Sequence, residues 1–207
     1  MQAILGTFLS LDRCNEKLGS GPFRFDADRD MVVAGTDVKA FRDAHVLLRG
    51  YQATHRHAVV VLDYEFGHQM EPDKVVSSIQ RNMVQAGWAE TLFEVVLIQP
   101  ELEVWIWQDN PLVQEVFYRR LKAAERERLP ALRKWLCDEQ QWPDGMLKPP
   151  NPKAAFERAQ RAFRAGSSMA ICTEIFQRVS VQGCTDPAFG CLRDALRRWF
   201  PRGGTGL

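Results

Sequence analysis

Two pairs of acidic residues follow apolar stretches of this chain. Asp63 and Glu65 come directly after the run AVVVL. Glu101 and Glu103 stand at the end of the stretch FEVVLIQP. If the backbone is extended at each pair, its two side chains point to the same side. Carboxylates held a few ångströms apart repel each other unless a cation or a proton lies between them. The pairs therefore predict a site for a hard divalent cation such as Mg²⁺, with Mn²⁺ as a substitute.

Such a site would suit phosphate chemistry. Mg²⁺ keeps several waters that a phosphate can displace, and it can activate water and stabilise a leaving phosphate. A lysine near the acids would add a point charge for the phosphate. Lys148 and Lys153 flank the stiff stretch PPNP, so one of them is a candidate for that role.

The acidic pairs also have an ordinary interpretation, which the sequence leaves open. Two acids after a strand are common loop residues. Glu101 and Glu103 alternate with Trp105 and Trp107, which is equally typical of a segment whose tryptophans fill the core and whose acids are solvated. Asp109 follows a few residues later and adds a further acid to the same stretch.

The first half of the chain alternates predicted helices and strands. Apolar residues at helical spacing indicate helices, whereas continuous apolar runs indicate strands that are buried on both faces. Together they predict an α/β fold, a parallel sheet with helices on both faces, in which ligands bind at the carboxyl ends of the strands. The predicted elements are a helix over 3–9, a strand over 23–33, a helix from Thr36 or Asp37 to about Tyr51, a strand over 58–62, a helix over 71–88 and a strand over 93–101.

The second half is rich in predicted helices. We predict an α/β core over 1–112 and a helical region over 113–207 that packs on it. The core carries 10 Lys and Arg against 16 Asp and Glu, and the helical region carries 17 against 10. This asymmetry indicates either a surface that attracts polyanions or two oppositely charged layers that attract each other on folding. The predicted helical stretches are 112–141 with a break at Pro130, 153–165, 168–178 and 184–200.

Composition argues against several classes of protein. No apolar stretch approaches the roughly 20 residues that a membrane span needs. The five cysteines are odd in number and have no C-x-x-C spacing, so reduced thiols in the cytoplasm fit better than a disulfide framework or structural zinc. His55, His57 and His68 are typical of surface or loop positions, since a cation that prefers oxygen does not need them.

Four stretches occur in a fixed order over residues 58–199: VVVLDYE, IQPELEVWIWQDN, KPPNPKAAFERA and CTDPAFGCLRDALRRW. As an ordered set they resemble the small Toprim-like component of bacterial methylation-associated antiphage defence systems. The chain is also similar, more loosely, to a wider set of Toprim-like proteins of uncharacterised function.

The resemblance implies a Toprim-like fold and Mg²⁺-dependent phosphoryl transfer or nucleic-acid cleavage. Asp63 and Glu65 match the Asp-x-Asp motif of that group by position, with glutamate in place of the second aspartate. Glu101 and Glu103 match the E-x-E-x-W stretch of the small defence proteins. Relatives begin with an apolar strand and an acidic turn, whereas this chain starts inside the helix that follows them. The N-terminal strand and its acid therefore have no counterpart here.

Two functions are expected. In the first, the chain is a defence component that acts as a Mg²⁺-dependent nuclease, with Asp63, Glu65 and Glu101 as metal ligands. Glu101 or Glu103 would then be a further ligand or general base, and Lys153 a phosphate contact. In the second, the chain is a non-catalytic scaffold or sensor in a multi-protein complex. The expected partners are other proteins of the same operon and nucleic acid, with no membrane; the oligomeric state is not predicted.

Overall fold

A computed structural model describes residues 2–67, 70–108, 110–181 and 183–203. Each predicted helix and strand of the first half is present except the strand over 23–33. The elements of this half are α1 (Gln2–Leu9), α2 (Cys14–Leu18), α3 (Ala27–Asp30), α4 (Asp37–Arg49), β1 (Ala58–Asp63), α5 (Pro72–Gln85) and β2 (Phe93–Ile98), with 3₁₀ turns at Tyr64–Gly67, Glu90–Leu92 and Leu102–Trp105.

Strands β1 and β2 form a parallel pair, with Ala58 opposite Phe93 and Asp63 opposite Ile98. Helices cover both faces of this pair. On one face, Val60 lies in an apolar cluster with Ile79 of α5 and residues of α4. The other face packs against the second half of the chain. The predicted α/β class is confirmed, with a sheet of two strands in the described residues.

The strand predicted over 23–33 is wrong. The alternation of apolar residues at its start gives way to the acidic stretch DADRD, where the chain forms the short helix α3. The side chain of Asp26 accepts a hydrogen bond from the N–H of Asp28, and the carboxylate of Asp30 accepts one from the N–H of Asp26. Aspartate side chains that bond nearby backbone groups in this way compete with strand pairing.

The second half is helical, as predicted. Trp107 stacks on Phe117 with ring centroids 5.5 Å apart, and Phe156 completes this aromatic part of the core. The division of the chain near residue 112 stays a prediction. The helices are α6 (Pro111–Tyr118), α7 (Ala123–Arg126), α8 (Leu132–Asp138), α9 (Pro152–Phe163), α10 (Ser168–Arg178) and α11 (Pro187–Trp199).

Helix α11 lies against β2 and so supplies part of the second layer over the sheet. Its first turn begins at Asp186, whose side chain accepts a hydrogen bond from the N–H of Phe189. All five cysteines are free thiols. Within the described ranges, no helix has both the length and the apolar character that crossing a membrane requires.

Candidate functional site

The site lies where β1 and β2 end, because parallel strands bring their carboxyl ends to the same edge. Asp63 is the last residue of β1 and pairs with Ile98. The N–H of Tyr64 donates a hydrogen bond to the carbonyl of Pro100 at 3.2 Å, so the two segments stay together beyond the sheet. Glu101 follows directly and is buried.

Asp63 has the most perturbed carboxyl of this edge. Its Oδ1 atom is buried and has no hydrogen-bond partner within the described residues. Burial raises the pKa of Asp63 to about 7, and the negative charges of Asp37, Glu103 and Glu101 act in the same direction. Near neutral pH both the protonated and the charged form of this carboxyl are therefore populated, and a nearby positive charge would favour the charged form.

Asp37 belongs to the site, which the sequence did not indicate. Thr36 is the N-cap of α4, and its side chain accepts a hydrogen bond from the N–H of Lys39 at 3.2 Å. Asp37 therefore occupies the first turn, and its Oδ1 accepts a hydrogen bond from the N–H of Asp63 at 3.1 Å. One feature of the sequence could have indicated Asp37: it is an acid in the first turn of a predicted helix, directly after a threonine that can cap that helix.

Glu101 joins the end of β2 to α9. Its Oε1 accepts a hydrogen bond from the backbone N–H of Lys153 at 3.0 Å, and its Oε2 lies 3.8 Å from the Lys153 ammonium. Burial raises the pKa of Glu101, and Glu103 and Glu65 also raise it, while both contacts with Lys153 lower it. Both oxygens of this carboxylate are thus already engaged.

Lys153 is the cation of the site. Glu101 raises its pKa most, and Glu65 and Glu103 add to the effect, so the ammonium lies among the acids that the sequence singled out. Lys148 has a different role, because its ammonium donates to the carbonyl of Trp107 and burial lowers its pKa. Of the two candidate lysines, the structure brings Lys153 to the acids.

The second acid of each pair departs from the extended geometry that the sequence analysis assumed. The chain turns into a 3₁₀ helix at Tyr64–Gly67 and again at Leu102–Trp105, so that expectation of shared faces is wrong. Glu65 is exposed and Glu103 is half-buried. A short alternation of acid and apolar residues cannot distinguish a strand from a tight turn, because three or four residues are too few to establish the period of either.

The tryptophans of the acidic stretch fill the core, as the ordinary interpretation predicted. Trp105 Nε1 donates to Asp186 Oδ1 at 2.8 Å, and Trp107 Nε1 donates to the carbonyl of Pro152 at 2.9 Å. Both rings are buried. These bonds hold the segment after β2 against α9 and α11, and so fix where Glu101 lies.

The histidines have structural contacts. His55 Nε2 lies 3.1 Å from Asp30, and the ring of His57 stacks on Trp199 with centroids 4.6 Å apart. His68 and Asp109 lie outside the described residues.

The residues present suit Mg²⁺ in part. Mg²⁺ is usually held by one or two carboxylates together with waters and substrate phosphates. Asp63 has a raised pKa and a buried oxygen to which no described residue hydrogen-bonds, so it fits one such ligand. Within the described residues, no group of three or more His, Cys, Asp or Glu side chains is arranged to hold a metal ion.

Comparison with protein-family models, with curated proteins and with solved structures gives no match to this chain. The case for a function thus depends on the residues at the ends of β1 and β2.

Proposed function

We propose that this chain is a Toprim-like component of a bacterial antiphage defence system, and that it binds Mg²⁺ at Asp63 to act as a nuclease. The observation that carries the proposal is the buried Oδ1 of Asp63, which lacks a hydrogen-bond partner among the described residues and lies beside other acids at the ends of two parallel strands. Open α/β sheets bind their ligands at this edge. The order of the four sequence stretches supplies the link to defence.

Each site residue has a role in this proposal. Asp63 is the first metal ligand. Glu103, whose charge acts on Asp63, is the candidate for a second, and Glu65 acts with Glu103 on the charge of Lys153. Mg²⁺ bound there would supply a Lewis acid for activating water and stabilising a leaving phosphate. Glu101 holds Lys153 at the edge of the acids, and the half-exposed ammonium of Lys153 contacts a phosphate of the substrate.

Nucleic acid suits this arrangement as a substrate. A polyanion is repelled by an acidic edge unless cations offset the charge. Mg²⁺ and Lys153 would do so locally, and the excess of Lys and Arg after residue 112 attracts phosphates over a longer range. Binding of nucleic acid should therefore weaken steeply as the salt concentration rises.

Calorimetric titration with Mg²⁺ and with Mn²⁺ tests the metal site in the purified chain. We expect binding by the native protein and its loss in Asp63→Ala. Asp144→Ala is the matched control, because Asp144 is an exposed acid in a turn. Equal binding by native protein and Asp63→Ala would refute the site.

A nuclease assay on single- and double-stranded DNA and RNA, with Mg²⁺ and then with excess chelator, tests the chemistry. Cleavage should require the metal and should be lost in Asp63→Ala but kept in Asp144→Ala. In cells that carry the whole operon, the same two variants should respectively lose and keep protection against phage.

A second function, that of a non-catalytic scaffold or sensor in a defence complex, is favoured by a specific observation. Both oxygens of Glu101 are engaged by Lys153, so this acid acts as a structural tie rather than as a free ligand. This function predicts co-purification with other proteins of the operon, no nuclease activity in excess Mg²⁺ or Mn²⁺, and full phage protection by Asp63→Ala.

A further inference from the structure

The stretch RRLKAAERER, residues 119–128, carries five Lys and Arg against two Glu. It covers the end of α6 and the short helix α7. The guanidinium of Arg126 holds these two helices together, because its Nε donates to the carbonyl of Leu121 at 2.9 Å and its Nη2 donates to the carbonyl of Arg119 at 2.7 Å. Bonds to carbonyls fix the position of this arginine and leave its charge without a counterion.

The end of α9 brings another arginine to the same place. Gly166 stands two residues after Arg164 in the loop between α9 and α10, and a Cβ atom at Gly166 would lie 3.2 Å from the guanidinium carbon of Arg120. The side chain of Arg120 thus extends from the end of α6 to this loop. We call Arg120, Lys122, Arg126 and Arg164 the basic corner, and all four residues are exposed.

The charges of the basic corner are not neutralised by the fold. Within the part of the chain that the structure describes, no acid forms an ion pair with any of its four side chains. Other exposed arginines do have such partners. Arg119 and Arg178 both pair with Glu174, and Arg198 of α11 pairs with Glu94. The basic corner therefore offers its cations to a ligand from outside the chain.

Arg164 has a backbone conformation that few side chains adopt. It ends α9 with a φ of 52° and a ψ of 38°, in the left-handed region. Glycine is the usual residue at such a helix end, and other residues adopt this conformation at some cost. An observed outlier of this kind points to a role for the side chain. A cation there also interacts favourably with the end of the helix dipole, so a control variant must match that effect.

Helix α9 connects the basic corner to the acidic site. Lys153, Glu157, Arg161 and Arg164 recur at intervals of three or four residues and so form one stripe along the helix. At 1.5 Å per residue, Lys153 and Arg164 lie about 17 Å apart along the axis. One strand of a DNA duplex has about five phosphates in that length. The stripe thus has cations at both ends and a length that suits a short run of phosphates.

We propose that the backbone of a nucleic acid lies along this stripe, with phosphates bound at the basic corner and at Lys153. The role of Lys153 rests on the proposed function, whereas the basic corner stands on its own unpaired charges. Arginine binds phosphates through paired N–H groups, and Arg126 has an Nη1 group to which no described residue hydrogen-bonds. Nucleic acid fits a line of cations better than an acidic protein does, because the phosphates of one strand recur at a regular spacing.

Fluorescence anisotropy with a labelled DNA duplex, in excess chelator, measures binding without cleavage. Arg120→Gln combined with Arg164→Gln should weaken binding about tenfold near 0.1 M salt and should lower the slope of log K against log salt by about 1.5. The control combines Arg49→Gln with Arg81→Gln on α4 and α5, where Arg49 is also at a helix end. Equal losses in the two double variants, or no binding by the native chain at low salt, would overturn the proposal.

Glu157→Gln tests the path between the two ends. Glu157 lies one turn after Lys153 and pairs with Arg161 at 3.4 Å, so the substitution removes a repelling charge and frees a cation. Binding of DNA should become about fivefold tighter. Glu90→Gln removes an exposed acid before β2 and should change the affinity much less. Equal gains from the two variants would mean that only net charge matters and would overturn the path along α9. Circular dichroism checks that each variant is folded.

The basic corner and the proposed nuclease can fail separately. Binding that depends on the basic corner, in a chain that neither binds Mg²⁺ nor cleaves, would uphold the basic corner and refute the nuclease. Cleavage that is lost in Asp63→Ala but unchanged in the Arg120 and Arg164 double variant would do the reverse. Displacement of the labelled DNA by polyglutamate as effectively as by unlabelled DNA of equal charge would identify an acidic protein as the occupant and would overturn the proposal.

Discussion

The backbone N–H of Asp63 donates a hydrogen bond to Oδ1 of Asp37 across 3.1 Å, which joins the end of β1 to the first turn of α4. This bond brings a second carboxylate to the half-buried Asp63 side chain. The negative charge of Asp37 raises the pKa of Asp63, after the larger effect of burial. The hydrogen bond between β1 and α4 thus places two carboxylates close together, which favours a proton or a cation at Asp63.

Replacement of Asp63 by asparagine should stabilise the protein at neutral and higher pH. The pKa of Asp63 is raised from 3.8 to about 7, so between these pH values the folded chain holds a proton that the unfolded chain has released. The free energy of unfolding of the native protein therefore falls as pH rises through this range. The free energy of unfolding of Asp63→Asn should not fall in this way. It should therefore exceed that of the native protein by roughly 2–4 kcal/mol above about pH 7.

Urea denaturation from pH 4 to pH 8 measures this difference. Asp144→Asn serves as the control, because an exposed acid should leave the pH profile unchanged. Parallel pH profiles for the native protein and Asp63→Asn would contradict the raised pKa of Asp63.

The sequence was sufficient to predict both strands and the two acids, Asp63 and Glu101, that lie at their ends. Continuous apolar runs before Asp63 and Glu101 located both strands, and the parallel pairing followed from the helix between them. Asp37 was missed because it precedes Asp63 by 26 residues and only the packing of α4 on β1 brings them together. The prediction of a strand over 23–33 was wrong because hydrogen bonds between aspartate side chains and nearby backbone N–H groups favour α3 instead. A pattern of alternating apolar residues does not reveal such bonds.

Glu101 should prove more important as a hydrogen-bond acceptor than as a charge. Glu101→Ala leaves the N–H of Lys153 without its partner and should lower the free energy of unfolding by about 1–3 kcal/mol. Glu101→Gln keeps an acceptor oxygen. Because burial raises the pKa of Glu101, its charged form is disfavoured, and the glutamine variant should be at least as stable as the native protein at pH 7.

Chemical denaturation of both Glu101 variants, together with Lys153→Ala, tests this assignment. The lysine side chain is half-exposed and its ammonium is 3.8 Å from Glu101, so its loss should cost no more than about 1 kcal/mol. A larger cost for Lys153→Ala than for Glu101→Ala would mean that the ion pair, not the backbone bond, holds this edge of the site.

Asp186 should stabilise the protein through two bonds from one atom. Its Oδ1 accepts from Trp105 Nε1 at 2.8 Å and from the N–H of Phe189 at 3.0 Å. Asp186→Ala removes a helix cap and leaves a buried indole N–H unpaired, which together should cost about 2–4 kcal/mol. Asp186→Asn retains the oxygen and should cost much less. Urea denaturation measures both.

Ser167 provides the comparison for the Asp186 variants. It caps α10 through the N–H of Ala170 but is exposed and has no tryptophan partner. Ser167→Ala should therefore cost about 1 kcal/mol, the value of a cap alone. Equal losses for Ser167→Ala and Asp186→Ala would show that the bond to Trp105 adds nothing.

Binding of Mg²⁺ should strengthen with pH in a range set by Asp63. A carboxylate must lose its proton before it binds a cation, and the pKa of Asp63 is about 7. The association constant should therefore rise about tenfold between pH 6 and pH 8 and level off above that. Titration calorimetry across this range should show the same rise in Asp144→Asn and should show neither the rise nor comparable affinity in Asp63→Asn. A rise centred near pH 4 would instead assign the cation to ordinary exposed carboxylates and remove Asp63 from the proposed metal site.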